Sequence, residues 1–138
     1  MINAASAGTF GFDCVNLIKG ILWGWNGDAS RRYGGTAYPT APAVAAGACP
    51  DVLADSMIKI CKGVSTDFSR IVPGAAVWLP EHIGVYSGEG LAVECTPKWR
   101  NRVQLTAVSN IGAKAGCNAR RWTKWGKPKE KANAQGRP

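Results

Sequence analysis

The chain has 138 residues, 46% apolar and 19% charged, which suits one packed domain and argues against wholesale disorder. The formal net charge is +8, and it is lopsided: residues 1–97 hold 6 basic and 8 acidic side chains, residues 98–138 hold 11 and 1. No apolar run approaches the ~18–20 residues of a membrane helix, so no membrane insertion is expected. Residues 1–12 lack the basic start and apolar stretch of a secretory signal. Five cysteines, at 14, 49, 61, 95 and 117, show no C-x-x-C spacing, which gives a zinc ribbon no support. Their odd number favours thiols over disulfides, and no metal or cofactor is expected.

In chain order, the first periodic signal spans 13–25. Cys14, Leu17, Ile18, Ile21, Leu22 and Trp25 recur at the spacing of one helix face. Asp13 is a good N-cap, and Gly24, Asn26 and Gly27 are stop signals, so a helix is predicted over 13–24. Residues 26–50 read as a long loop. A second helix is predicted from Asp51 to Lys62, with Gly63 as terminator. Ala75–Leu79, Ile83–Tyr86, Leu91–Cys95 and Val103–Val108 read as antiparallel strands, with a further short strand near Arg121–Trp125. The tail beyond Gly126 reads as disordered. The layout is α+β, with helices packed on one antiparallel sheet.

Three residues stand out chemically. Cys14 falls in the first turn of the first helix, where the macrodipole and unpaired N–H groups favour a thiolate and can hold an oxyanion. His82 opens a strand in PEHIGVY and has the chemistry of a general base to a thiol. Glu94 stands in the apolar strand LAVECTP, where a carboxylate is costly to bury alone. A three-residue turn at Ser87, Gly88 and Glu89 would set His82 directly opposite Glu94, which could then fix the imidazole tautomer. The competing readings are a small core cysteine, a surface histidine and a cross-strand ion pair. Together the three give the order nucleophile, base, orienter, a papain-like arrangement.

GFDCVNLIKGILWGW resembles the nucleophile segment of the NlpC-type cell-wall cysteine peptidases, usually Phe-Asp-Cys-Ser-Gly-Leu-Val. VPGAAVWLPEHIGVYSGEGLAVECTP resembles their second segment, with Pro73, Gly74, His82, Gly84, Tyr86, Gly88 and Gly90 in register. The likeness covers roughly residues 10–108 and has the look of a phage-type lysin domain. It implies a papain-like α+β fold, a nucleophile helix on an antiparallel sheet, and hydrolysis of an amide bond in peptidoglycan stem peptides. By position, Cys14 is implied as nucleophile, His82 as general base and acid, and Glu94 as orienter. Asp13 matches the family residue that helps bind the free amine of the stem peptide. The implied domain is 1–126, its N-terminal part truncated relative to the family, with a basic tail over 127–138.

Three departures stand out. Val15 and Asn16 replace the usual Ser-Gly, and Glu81 replaces the Gly before the histidine. The family's upstream Tyr has no counterpart in the 13 residues before Cys14, which leaves Tyr33 and Tyr38 as substitutes and Tyr33 as a substrate-binding candidate. Among six tryptophans, Trp99 is the candidate for stacking on substrate. Cys61 and Cys95 fit core positions, and Cys49 and Cys117 fit exposed loops. The basic third suits attraction to anionic wall polymers. A nucleic-acid module would use the same charge, but no nucleic-acid motif is present. The expected protein is a monomeric hydrolase acting at the cell wall, and with no signal peptide visible it reaches the wall by a phage-style route or through a missing upstream segment. The alternatives are a CHAP-type amidase and a non-catalytic wall-binding remnant.

Overall fold

The computed structural model describes residues 3–6, 9–11, 13–23, 27, 30, 36, 39–100 and 102–128. Tyr33, Tyr38, Trp25 and most of the expected tail lie outside the described residues. The fold is mixed α+β, a curled and mostly antiparallel sheet with few helices.

An N-terminal hairpin, β1 (Asn3–Ser6) and β2 (Thr9–Gly11), precedes helix α1 (Cys14–Leu22). The Asp13 side chain accepts from the Asn16 backbone N–H at 2.7 Å, closing the first turn as a capping aspartate does. Val15 through Gly20 are all buried, so the middle of α1 is enclosed on every side, while Ile21 near its end, expected on the core face, is exposed. Lys19 is therefore a buried cation. It donates to Asp51 at 2.5 Å and lies 5.5 Å from the centre of the Trp23 ring.

A short helix, α2 (Ala41–Ala45), stands inside the expected loop, capped by the Thr40 hydroxyl. Helix α3 (Ala54–Ile60) is shorter than expected because Asp51 reaches Lys19 instead of starting a turn. Cys61 already has extended backbone, and Gly63 lies in strand β3 (Lys62–Ser65). After a 3-10 turn at Phe68–Arg70 come β4 (Ala76–Leu79), β5 (His82–Gly88), β6 (Leu91–Thr96), β7 (Arg102–Val108), β8 (Ala119–Arg120) and β9 (Lys124–Lys127).

The seven-stranded sheet runs β3-β9-β4-β5-β6-β7-β8. Its centre is the expected meander. Two features correct the sequence reading. The single strand expected near 121–125 is two strands, and β8 pairs with β7 in parallel rather than antiparallel. The chain passes from β7 through a loop to β8, then crosses the sheet to insert β9 between β3 and β4.

The two faces bury different clusters. Val15 and Ile18 of α1, Met57 and Ile58 of α3, Cys49, and Ile83 of β5 form the helical side. Phe68, Val77, Tyr86, Ala92, Val108, Trp122 and Trp125 fill the inside of the curl. Cys49, expected on an exposed loop, is 2% exposed. No disulfide joins any of the five cysteines. Among the described residues no helix is long and apolar enough to cross a membrane.

The Lys19–Asp51 pair ties α1 to the segment that leads into α3. Replacing Asp51 by Ala leaves a buried ammonium unpaired. The expected cost is about 1–3 kcal/mol, below the ~3–5 kcal/mol of a fully buried pair because Asp51 is itself largely exposed. Lys19→Met removes the buried charge and is expected to cost less. Urea denaturation of both variants checks the order, and an equal or reversed order contradicts it.

Candidate active site

Capping by Asp13 leaves Cys14 half-buried as the first residue of α1. Its Sγ lies 4.0 Å from the Glu81 carbonyl oxygen, in the turn between β4 and β5. Glu81 adopts φ +65°, the left-handed region that favours Gly. Asp55 at the start of α3 holds this turn. Its Oδ1 accepts from the Glu81 N–H at 2.8 Å and from Trp78 Nε1 at 3.0 Å. The helical layer thus fixes the backbone just before His82.

His82 Nε2–H donates to Glu94 Oε1 at 2.7 Å. The pair forms as expected, but not by the expected register. Val85 pairs with Val93 and Tyr86 with Ala92, and a bulge at Gly88 moves the turn to Glu89 and Gly90. Gly88 and Gly90 take φ of +98° and +78°, which that turn requires. Extended along the strands, this register sets Gly84 opposite Glu94 and leaves His82 diagonal to it. The offset is two residues, so both side chains stay on one face, and a diagonal neighbour is within reach of long side chains.

Glu94 is 0% exposed. Besides His82, it accepts from Thr106 Oγ1 at 2.5 Å and from Arg120 Nε at 2.8 Å. Burial pushes its carboxyl pKa up. The hydrogen bonds from His82 and Thr106 and the charges of Arg120 and His82 outweigh that, and the net shift is down. Burial likewise pulls His82 down and Arg120 opposes its protonation. Hydrogen bonds to Cys14 and Glu94, with the Glu94 charge, outweigh both and raise it above its ordinary 6.5. With Nε2 held by Glu94, the other ring nitrogen, Nδ1, is left to meet Cys14.

Sequence reasoning missed the wall behind His82. Trp122 stacks on the imidazole, ring centres 5.4 Å apart and planes 12° apart. Asn110 pins the Trp122 backbone with two hydrogen bonds, both 2.8 Å. Gly84 makes room: a Cβ there would lie 2.9 Å from the Val93 carbonyl oxygen and 3.1 Å from the Trp122 ring. Arg120 lies over both the Trp99 and Trp122 rings, 5.0 and 5.6 Å from their centres. Trp99, expected as a platform for substrate, is exposed but already carries Arg120 and Lys98 cations over its ring. Gln104 Nε2 donates into a group of four carbonyl oxygens, those of Thr96, Lys98, Arg100 and Arg102, and so shapes the turn that presents Trp99.

Asp13 is exposed beside Cys14, with its Oδ1 engaged in the cap. Tyr33 lies outside the described residues. Cys95 is close enough to Asp13 and Cys14 to feel both charges, after burial the main causes of its raised pKa. Cys61 is pushed up to about 11 by burial and then by Cys49, which makes it a poor nucleophile near neutral pH.

These shifts fix a pH window. His82 is raised on folding, so its contribution to stability is complete below about 6.5 and is lost as pH rises through its folded value. Glu94 is lowered, so its contribution is present above 4.5 and is lost as pH falls through its folded value. As the chain has one histidine, its imidazole NMR signal reads the first directly. The midpoint is expected above 6.5 in the wild type and lower in Glu94→Gln, and an unmoved midpoint contradicts the pairing. Gly84→Ala is expected to push Trp122 off the imidazole and to cost about 1–3 kcal/mol of stability in urea melts.

No family model, no curated protein and no solved structure matches this chain. The chemistry of the site therefore rests on these side chains alone.

Proposed function

We propose that the chain is a papain-like cysteine hydrolase that cuts amide bonds in the stem peptides of bacterial peptidoglycan. One observation carries the proposal: a cysteine at a helix N-terminus stands against the turn that opens into a histidine, and that histidine is held by a buried carboxylate. The choice of substrate rests on the resemblance of the two motif segments to the NlpC-type peptidases.

His82 Nδ1 takes the Cys14 proton, and the thiolate attacks the amide carbon. The tetrahedral oxyanion sits at the N-terminus of α1, where the Cys14 backbone N–H is a donor. The imidazolium returns its proton to the leaving amine, and an acyl-thioester remains. Water then attacks that ester while His82 accepts its proton. This step releases the acid and restores the thiol. Glu94 steadies the imidazolium and fixes its tautomer throughout. Asp13, exposed beside Cys14, is the carboxylate that the resemblance assigns to the free amine of the stem peptide.

The exposed cations Lys98, Arg100, Arg102 and Arg121 suit an anionic wall, and their attraction would fade with salt.

The test is turbidity loss of purified walls. Cys14→Ala and His82→Ala are each expected to lower the rate by about 10³-fold or more while circular dichroism stays unchanged. Lysis retained by either variant refutes the proposal. Fragment masses then separate an endopeptidase from an amidase that frees the whole stem from the glycan.

A further inference from the structure

Arg120 is a half-buried cation that the catalytic scheme above does not use. Its side chain is 13% exposed and its Nε–H donates to Glu94 Oε1, the same oxygen that His82 binds. A cysteine–histidine pair needs a carboxylate or amide to orient the ring. It does not need a second cation on that carboxylate. Such a cation competes with the imidazolium for one negative charge, so its presence calls for a physical reason.

Its placement is built from several elements. The parallel pairing of β8 with β7 sets Arg120 beside Val108. Trp122, two residues on, stacks on His82 and lies under the guanidinium. Trp99 reaches the same guanidinium from the turn between β6 and β7, and holds a left-handed φ of +64° to do so. Cation–π contacts with two indoles offset part of the desolvation of the guanidinium. The planar fork then presents Nε–H to one carboxylate oxygen while Thr106 occupies the other.

We propose that Arg120 is a positioning residue of this site: held over Trp99 and Trp122, its guanidinium fixes Glu94 in place and offsets the carboxylate charge that His82 feels. The charged and titratable groups that act on His82 are Cys14 from α1, Glu94 from β6 and Arg120 from β8. Cys14 and Glu94 favour the protonated ring, and Arg120 is the one that disfavours it. Without Arg120 the ring would hold its proton to higher pH, and a base that stays protonated cannot take the proton of the attacking water. The catalytic consequence rests on the hydrolase proposal, whereas the electrostatic claim does not.

The test is the NMR titration of His82, the single histidine, in the full chain. Arg120→Met is expected to move the midpoint to higher pH. Arg120→Lys, which keeps the charge without the fork, is expected to fall between Met and wild type. Near-UV circular dichroism of the tryptophans reports whether each variant is folded. Trp99→Leu gives a second route through an exposed turn that leaves the core intact: it loosens the guanidinium and is expected to shift the midpoint the same way, by less. A folded Arg120→Met with the wild-type midpoint overturns the proposal. So does an unmoved midpoint in Trp99→Leu if Arg120→Met fails to fold. Walls left intact by the wild type would refute the hydrolase assignment yet leave these midpoints to be judged on their own. If lysis is seen, the acidic limb of its pH profile should move with the NMR midpoint, a change that a purely structural arginine would not produce.

Discussion

A carboxylate with no solvent exposure must find its donors inside the protein, and Glu94 finds three on three different strands. An ionised group of this kind costs several kcal/mol to bury unless every lone pair is met by a well-placed donor. His82 on β5, Thr106 on β7 and Arg120 on β8 can reach one side chain only if the sheet curls. The curl also explains the parallel strand β8, an oddity in an otherwise antiparallel sheet. Without it Arg120 has no route to Glu94, and the carboxylate would face the interior with one cation fewer.

The same requirement sets the division of labour between the two faces of the sheet. Cys14 belongs to the helical layer and Glu94 to the inside of the curl. Only a residue at the start of a strand can touch both, and His82 holds that place. The turn before it is held from the helical side through Asp55, which accepts from Glu81 and Trp78. Glu81 in the left-handed region carries a cost of about 1 kcal/mol relative to Gly, and those two hydrogen bonds offset it. From the other side Trp122 closes over the imidazole, with its Nε1 left without a hydrogen-bond partner among the described residues. A buried unpaired indole N–H costs about 1–3 kcal/mol. That cost accompanies a ring placed to stack on His82 and to underlie Arg120 rather than to satisfy itself.

Local signals in the sequence were legible where the interactions are local. Asp13 and Cys14 are the cap and first residue of the helix they start, and the apolar spacing of that helix marks each of its ends to within two residues. The pairing of His82 with Glu94 was legible in parity, because both belong to one hairpin and one face. Its offset was not legible, since the bulge at Gly88 depends on turn geometry that composition does not encode. Arg120 and Trp122 carried no signal at all. They lie 26 and 40 residues from Glu94 and His82 respectively, and they arrive through the β7–β8 crossover. The second helix was overextended for a related reason: Asp51 looks like a helix start until a buried Lys19, 32 residues away, draws it off.

The uneven charge of the chain takes on a different meaning in this light. The basic third reads in sequence as an appendage to a motif-bearing body that ends near residue 108. In the fold it supplies Arg120 and Trp122 to the site, Trp125 to the core, and β9 to a central position between β3 and β4. Its cations divide accordingly. Arg120 is committed to Glu94 and Lys124 lies 4.8 Å from the centre of the Trp78 ring. Lys98, Arg100, Arg102, Lys114 and Arg121 face solvent and remain available to an anionic surface. The segment is therefore both structural and electrostatic, and it is the structural part that fixes how His82 exchanges its proton.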